Sequence, residues 1–93
     1  MTSPTPRHGL DAIFAERERQ VERFGHDADH DAMLPLHHLP EKAREFTAIA
    51  CDCIRGTVAH RDLARARKKL AEAGALCAAA IDRLDAAMKK GDL

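Results

Sequence analysis

The longest repeating pattern of apolar residues lies in the last third of the chain. Two rows recur there every seven positions, and they are Leu63, Leu70, Cys77 and Leu84 in one row and Ala66, Ala73, Ala80 and Ala87 in the other. This spacing is the a/d heptad pattern of helices that pack along a seam. Strong helix formers dominate the stretch and no proline interrupts it. The pattern therefore predicts one helix over residues 59–90, a rod of roughly 45 Å.

Two shorter helices precede this rod. Residues 9–24 carry apolar residues on one helical face and charged residues mostly on the other, and Gly25 is the expected end. The apolar face consists of Leu10, Ile13, Phe14, Val21 and Phe24. Pro40 opens a second helix over residues 41–55. Its apolar face consists of Ala43, Phe46, Ile49, Ala50, Cys53 and Ile54.

The remaining segments are connections. Residues 1–8 contain Pro, Ser and Thr, which predicts a flexible arm. Residues 26–39 show no sustained period and contain the helix breaker Pro35, which predicts a long loop rich in His and Asp. Only a short turn separates the second and third helices, so we expect these two helices to form an antiparallel hairpin.

These elements predict a single all-α domain of three helices with no strand. The rod is about twice as long as the other helices, and alanine at every second seam position lets another helix approach closely. Only 3% of the 93 residues are aromatic, so a core of small aliphatic side chains buries little area per residue. Both features favour the assembly of several copies into a homo-oligomeric helical bundle through the Leu/Ala seam.

Charge and cysteine content exclude several classes of protein. Fifteen basic and fifteen acidic residues give a formal net charge of zero, which argues against a general nucleic-acid binder. No stretch reads as a signal peptide or a membrane span, which predicts a cytoplasmic protein. The three cysteines, Cys51, Cys53 and Cys77, fit neither a disulfide framework nor zinc spacing. We expect them to be small buried residues in a reducing compartment.

The beginning of the rod is strongly basic. Residues 61–69 contain five cations, which are Arg61, Arg65, Arg67, Lys68 and Lys69. Arg61, Arg65 and Lys68 follow the spacing i, i+4, i+7 and are expected to share the outer face of the helix. Arginine side chains bind phosphate with two parallel hydrogen bonds. The cluster therefore predicts a site for an anionic ligand; the alternative is a solvated face with pairs inside the helix.

A second candidate site lies in the loop. His26 and His30 are spaced i, i+4, and Asp27, Asp29 and Asp31 alternate with them. Neutral imidazole and carboxylate groups are ligands of zinc, manganese and iron. This composition indicates a metal site formed by His26, His30, Asp27 and Asp31. The alternative is a solvated polar loop in a protein without a cofactor.

A third candidate is acidic. All-α nucleotide pyrophosphohydrolases hold magnesium with carboxylates, and the corresponding groups here would be Glu16, Glu18, Glu22, Asp27 and Asp31. Those enzymes present paired carboxylates on two facing helices. The facing helices here offer Glu41, Glu45 and Asp52 without a clear paired pattern. The alternative is a solvent face with salt bridges.

Residues 37–82 resemble a known phage family. The matching residues are Arg61-Asp62, Ala66, Lys69-Leu70, Glu72-Ala73 and Ala79-Ala80-Ile81, and upstream His38, Pro40, Phe46 and Ile49. This pattern is similar to the phage hairpin domain found in anti-CBASS and anti-Thoeris sponges. The resemblance implies a compact helical homo-oligomer that sequesters cyclic nucleotide signals and cleaves nothing, with phosphate contacts through Arg61 and Lys69. The aromatic before His and the Trp of that family fall on His37 and Leu76 here.

A second pattern spans nearly the whole chain. It comprises Glu16-Arg17-x-Arg19-Gln20, Glu22, Gly25 and His30-Asp31, followed by Ala73-Gly74-Ala75-Leu76 and Ile81-Asp82-Arg83-Leu84. It resembles a widespread family of small phage and prophage helical proteins. Both resemblances imply a phage or prophage origin, and hence the cytoplasm of the host cell as the location.

These observations predict a non-enzymatic counter-defence protein that sequesters an anionic nucleotide signal or blocks a host defence protein. The predicted ligand-binding residues are Arg61, Arg65, Lys68, Lys69 and His38. The expected partners are further copies of the chain and either the nucleotide or the host protein, with no membrane. Two alternatives stay open: a metal-dependent enzyme similar to a nucleotide pyrophosphohydrolase, and a protein–protein inhibitor without a small ligand.

Overall fold

Three α-helices form the described part of the chain, and no strand occurs in it. The computed structural model describes residues 8–24, 33–57 and 60–91. Helix α1 is His8–Phe24, α2 is His38–Ile54 and α3 is Leu63–Lys89. The predicted arm, apart from its last residue, and the first half of the predicted His- and Asp-rich loop, residues 26–32, lie outside the described residues. None of the three helices is both long enough and apolar enough to cross a membrane.

The first two helices begin earlier than the sequence pattern predicts. Helix α1 starts at His8, the residue predicted to end the arm. Helix α2 starts at His38, three residues before the predicted position, and Pro40 lies inside its first turn. A proline is tolerated there because the first N–H groups of a helix have no acceptor within the helix.

The long helix begins later than predicted, at Leu63 rather than at residue 59. Asp62 is its N-cap, and the Asp62 carboxylate accepts a hydrogen bond of 3.0 Å from the backbone N–H of Arg65. The helix continues for 27 residues, against 17 in each of the others. Gly91 follows its end with a positive φ of 72°, a conformation that glycine adopts without strain.

Helix α3 is the element on which both shorter helices pack. Helix α2 and α3 share a core cluster of Leu39, Ala43, Ala73, Leu76, Ala79 and Ala80, with Leu34 and Phe46 half-buried against it. At the other end of α2, the backbone N–H of Asp62 donates to the carbonyl of Cys53 at 3.0 Å. Helix α1 contacts α3 but, among the described residues, no Cα atom of α1 lies within 8 Å of α2.

The predicted Leu/Ala seam is divided between the interior and the surface. Of the ten buried apolar residues in the described part of the chain, eight are alanines. They include the whole alanine row of the heptad pattern, which the shorter helices cover. The other row is open to solvent, with Leu63 62%, Leu70 46% and Leu84 36% exposed and Cys77 also exposed. Only half of the seam is therefore used inside one chain.

Helix α1 turns a different face inward from the one that its apolar pattern predicts. Ile13 is half-buried, but Leu10, Phe14 and Val21 are exposed, whereas Gln20 is buried. A Cβ atom on Gly74 of α3 would lie 2.5 Å from Ile13 Cδ1, so Ile13 occupies the space that the missing side chain leaves. With Ile13 inward, the residues three and seven positions later face α3 as well.

The cysteines also differ from expectation. Cys51 and Cys77 are exposed and Cys53 is half-buried, so the prediction that the cysteines are buried is wrong for two of them. Cys51 follows the buried Ala50 on α2 and therefore points away from the core. Cys77 belongs to the open row of α3.

Candidate functional site

Three exposed cations at the beginning of α3 form a basic patch, which consists of Arg61, Arg65 and Lys68. Arg65 and Lys68 lie one turn apart on the helix. Arg61 precedes the Asp62 cap, so it stands outside the helix and the predicted helical spacing does not fix its direction. Within the described residues, none of the three cations forms an ion pair.

Lys69 belongs to the core rather than to the patch. Its Nζ atom lies 3.4 Å from Glu72 Oε1 and 4.8 Å from the centre of the Phe46 ring. An ammonium group over an aromatic face is attracted by the ring electrons. Lys69 therefore links α3 to α2 and has a carboxylate partner already.

The structure does not bring His38 together with the basic patch. His38 is the first residue of α2, whereas Cys53, which accepts the hydrogen bond from Asp62, is near its last. The length of α2 separates these two ends by roughly 24 Å. A small ligand on the patch is beyond the reach of His38.

A polar layer lies between α1 and α3, and the apolar pattern of the sequence does not predict it. Arg19 Nε donates to both carboxylate oxygens of Glu16 at 3.0 Å, and Arg19 Nη2 donates to Oε1 as well. These hydrogen bonds raise the pKa of the Arg19 guanidinium above its usual value, and the charges of Glu16 and Glu72 raise it further.

Two acceptors of this layer are buried without a hydrogen bond. Gln20 and Glu72 are 5% and 8% exposed, and the Oε1 atom of each has no hydrogen-bond partner in the described part of the chain. For Glu72 the neighbouring Lys69 ammonium supplies charge compensation without a well-aligned bond. The polar groups that α1 contributes to this layer face α3 from the same side of α1 as Ile13.

An apolar pocket of about 400 Å³ is lined by residues from all three helices. Its wall is formed by His8, Gly9, Ala12, Ile13, Ile54, Leu63, Ala66, Arg67, Leu70 and Ala71. Arg67 is the one arginine or lysine on this wall. In the sequence, only Leu63 and Leu70 on the open row indicate this pocket. Their spacing does not show which other helices line it.

The predicted metal site lies outside the described residues. His26, Asp27, His30 and Asp31 all belong to the segment 25–32, so this site stays a prediction. Elsewhere, in residues 8–24, 33–57 and 60–91, no three His, Cys, Asp or Glu side chains come together as a metal site. Of the acidic residues on α1, Glu16 is bound by Arg19, whereas Glu18 and Glu22 are exposed.

Comparisons with models of protein families, with curated proteins and with solved structures gave no match to this chain.

Proposed function

We propose that this chain is a non-enzymatic binding protein that assembles from several copies and holds an anionic, nucleotide-type ligand on the basic patch. The observation that carries the proposal is the patch itself: three exposed cations at the start of the longest helix, with no ion-pair partner among the described residues. Asp62, the carboxylate beside them, accepts the cap hydrogen bond of α3.

The chemistry of the patch suits phosphate groups. Arg65 and Lys68 lie about one helical turn apart, roughly 5 Å along the helix axis, and Arg61 precedes them in the chain. The positive end of the α3 dipole adds to the attraction of an anion. Because the cations are exposed, the affinity decreases as salt increases.

The resemblance to phage sponge proteins supports a role in counter-defence, since that family sequesters cyclic nucleotides. Three contacts between α2 and α3 support the proposed hairpin. Cys53 bonds to Asp62, Phe46 lies beneath Lys69, and Leu39 shares a cluster with Leu76. The number of residues between the two contacting partners thus increases from one end of the helix pair to the other, as it does in two antiparallel helices.

Calorimetric titration with a panel of cyclic di- and trinucleotides tests the ligand. We expect Arg65→Gln and Lys68→Gln each to weaken binding about tenfold or more, because each removes a charge-assisted hydrogen bond. Arg44→Gln is the matched control, since Arg44 is an exposed cation on α2 outside the patch. No heat from any nucleotide, or equal losses in Arg44→Gln, would exclude this ligand.

The capping aspartate offers a gain-of-function test in the same titration. Asp62→Asn keeps an acceptor for the Arg65 N–H and removes a negative charge beside the patch, so the ligand should bind more tightly. Asp62→Ala removes the same charge but also the cap, and it should lower helix stability by about 1 kcal/mol. A ligand that binds equally to Asp62→Asn and to the unmodified chain is not held by these cations.

A protein–protein inhibitor is the second candidate, and the apolar pocket favours it. A cavity of about 400 Å³ lined by leucine, isoleucine and alanine accepts an apolar side chain from another protein. This function predicts binding to a host protein and no heat with nucleotides. Release of pyrophosphate that stops on chelation would instead support the metal-dependent enzyme.

A further inference from the structure

Two exposed apolar stripes remain on the surface after the three helices have packed. The first, called the α1 stripe, consists of Leu10, Phe14 and Val21. The second, called the α3 stripe, consists of Cys77, Ile81, Leu84 and Met88. Phe14 is 67% exposed and Ile81 is 59% exposed, so neither stripe is covered by the described residues.

The two stripes have the same length, but on α1 the half-buried Arg17 occupies the i+7 position that is apolar on α3. Counted from its first residue, the α1 stripe occupies positions i, i+4 and i+11, and the α3 stripe occupies i, i+4, i+7 and i+11. Each therefore runs along one side of its helix for about 16 Å. Apolar side chains on two such stripes can pack against each other when the two helices lie side by side.

The stripes cannot meet within one chain. The α1 stripe lies on the side of its helix away from Ile13, Glu16 and Gln20, the residues that face α3. It therefore points away from the helix that carries the other stripe. Two copies remove this obstacle, because a two-fold axis places the first surface of each copy against the second surface of the other.

We propose that the chain forms a two-fold dimer in which the α1 stripe of each copy packs on the α3 stripe of its partner. This inference deepens the assembly part of the proposed function by naming its surfaces. Each partner in a standard interface buries ~800 Å², and the two stripes supply exposed apolar side chains toward that area. An alanine-rich core that buries little area gains most from such a contact.

Sedimentation velocity over a concentration series tests the pairing. The unmodified full chain sediments as a dimer, and Phe14→Glu and Ile81→Lys each raise the dimer dissociation constant about 100-fold, since each variant disrupts both equivalent contacts. Ala15→Glu and Ala86→Lys are the matched controls, because each adds the same charge as its interface variant at an exposed position of the same helix off the stripe. Circular dichroism verifies that each variant is helical.

Mixing the two interface variants distinguishes this pairing from others. A heterodimer of Phe14→Glu with Ile81→Lys has one contact with opposite charges and one unmodified contact, so the mixture dimerises although each variant alone does not. A monomeric unmodified chain, dimeric interface variants or a mixture that stays monomeric would each overturn the proposal. A chain that is monomeric alone but forms a complex with a host protein overturns it in favour of an inhibitor.

Thiol labelling of the unmodified chain gives a readout that needs no variant. Cys77 lies on the α3 stripe and becomes covered in the dimer, whereas Cys51 is exposed on α2. As protein concentration rises, the rate of alkylation at Cys77 falls while that at Cys51 stays constant; equal rates at all concentrations would contradict the dimer. Nucleotide titration tests the proposed ligand independently of the dimer, because the stripes and the basic patch share no residue. A chain that dimerises but binds no nucleotide supports this inference and contradicts the proposed ligand.

Discussion

Gly74 is the residue that determines how α1 sits on α3. A methyl group at this position would lie 2.5 Å from Ile13 Cδ1 and 2.6 Å from Cγ1. Isoleucine is stiff about its first side-chain torsion, so Ile13 does not move aside easily. The absence of a single Cβ atom therefore allows the two helices to approach.

Gly74→Ala should lower the free energy of unfolding by about 1–2 kcal/mol, because the clash with Ile13 exceeds the gain in helix propensity. In an Ile13→Ala background the clash disappears, and the same change should raise stability by about 1 kcal/mol. Urea denaturation followed by circular dichroism measures both values. Gly9→Ala is the control, since nothing lies within 4 Å of its added carbon. A loss of equal size in both backgrounds would show that Ile13 is not the cause.

The basic residues show which contacts can be predicted from spacing along one helix and which cannot. The sequence placed Lys69 with the other cations because it lies beside them in the chain. Its partner Glu72 is on the same helix, but Phe46 is on another, and no periodicity in α3 predicts that contact. Arg61 was predicted to be helical, and it is not, because the side chain of Asp62 caps the helix after it.

At the scale of the element, the heptad pattern predicted the long helix correctly but not the use of its two rows. By their heptad spacing, the alanine row and the leucine row are both predicted to be seam positions. The shorter helices cover the alanine row because small side chains let backbones come close, and the leucine row then remains outside. A single sequence cannot separate a row buried within the chain from a row available to a partner.

This division predicts opposite responses to substitution on the two rows. Ala73→Leu should lower the free energy of unfolding by about 1–3 kcal/mol, because the buried site against α2 has no room for three more carbons. Leu63→Ala should change it by no more than about 0.5 kcal/mol, since Leu63 is largely exposed. Thermal and urea unfolding of the two variants measure the contrast. Equal effects would mean that the rows are not divided in this way.

Helix α1 was the element whose orientation the sequence predicted least well. Its apolar positions predicted an inward face that contains Leu10, Phe14 and Val21, all of which are exposed. The orientation depends instead on a glycine sixty-one residues after Ile13 and on the ion pair between Glu16 and Arg19. The contact between Ile13 and Gly74 joins distant segments of the chain, and the amphipathic pattern of α1 alone carries no information about it.

For the whole molecule, the alanine core sets a limit on the stability of a single copy. Eight small side chains remove little apolar area from water, while several larger ones remain outside. Burial between copies adds area that the monomer lacks, so folding and association are expected to be linked. Such linkage makes apparent stability depend on protein concentration.

The melting temperature of the unmodified chain should therefore rise as protein concentration rises. Phe14→Glu, which removes association, should melt at a temperature independent of concentration. Differential scanning calorimetry at several concentrations measures this directly, with Ala15→Glu as the variant that keeps the dependence. A constant melting temperature for the unmodified chain would indicate that its folded state is complete without a partner.

Among the described residues, α1 packs along α3, and no Cα atom of α1 lies within 8 Å of α2. Detachment of α1 therefore breaks mainly its contacts with α3 and leaves the cluster between α2 and α3 intact. The chain thus consists of a central pair of helices, α2 and α3, and a peripheral helix, α1, which packs on α3. Local detachment of α1 therefore requires less free energy than unfolding of the α2/α3 pair.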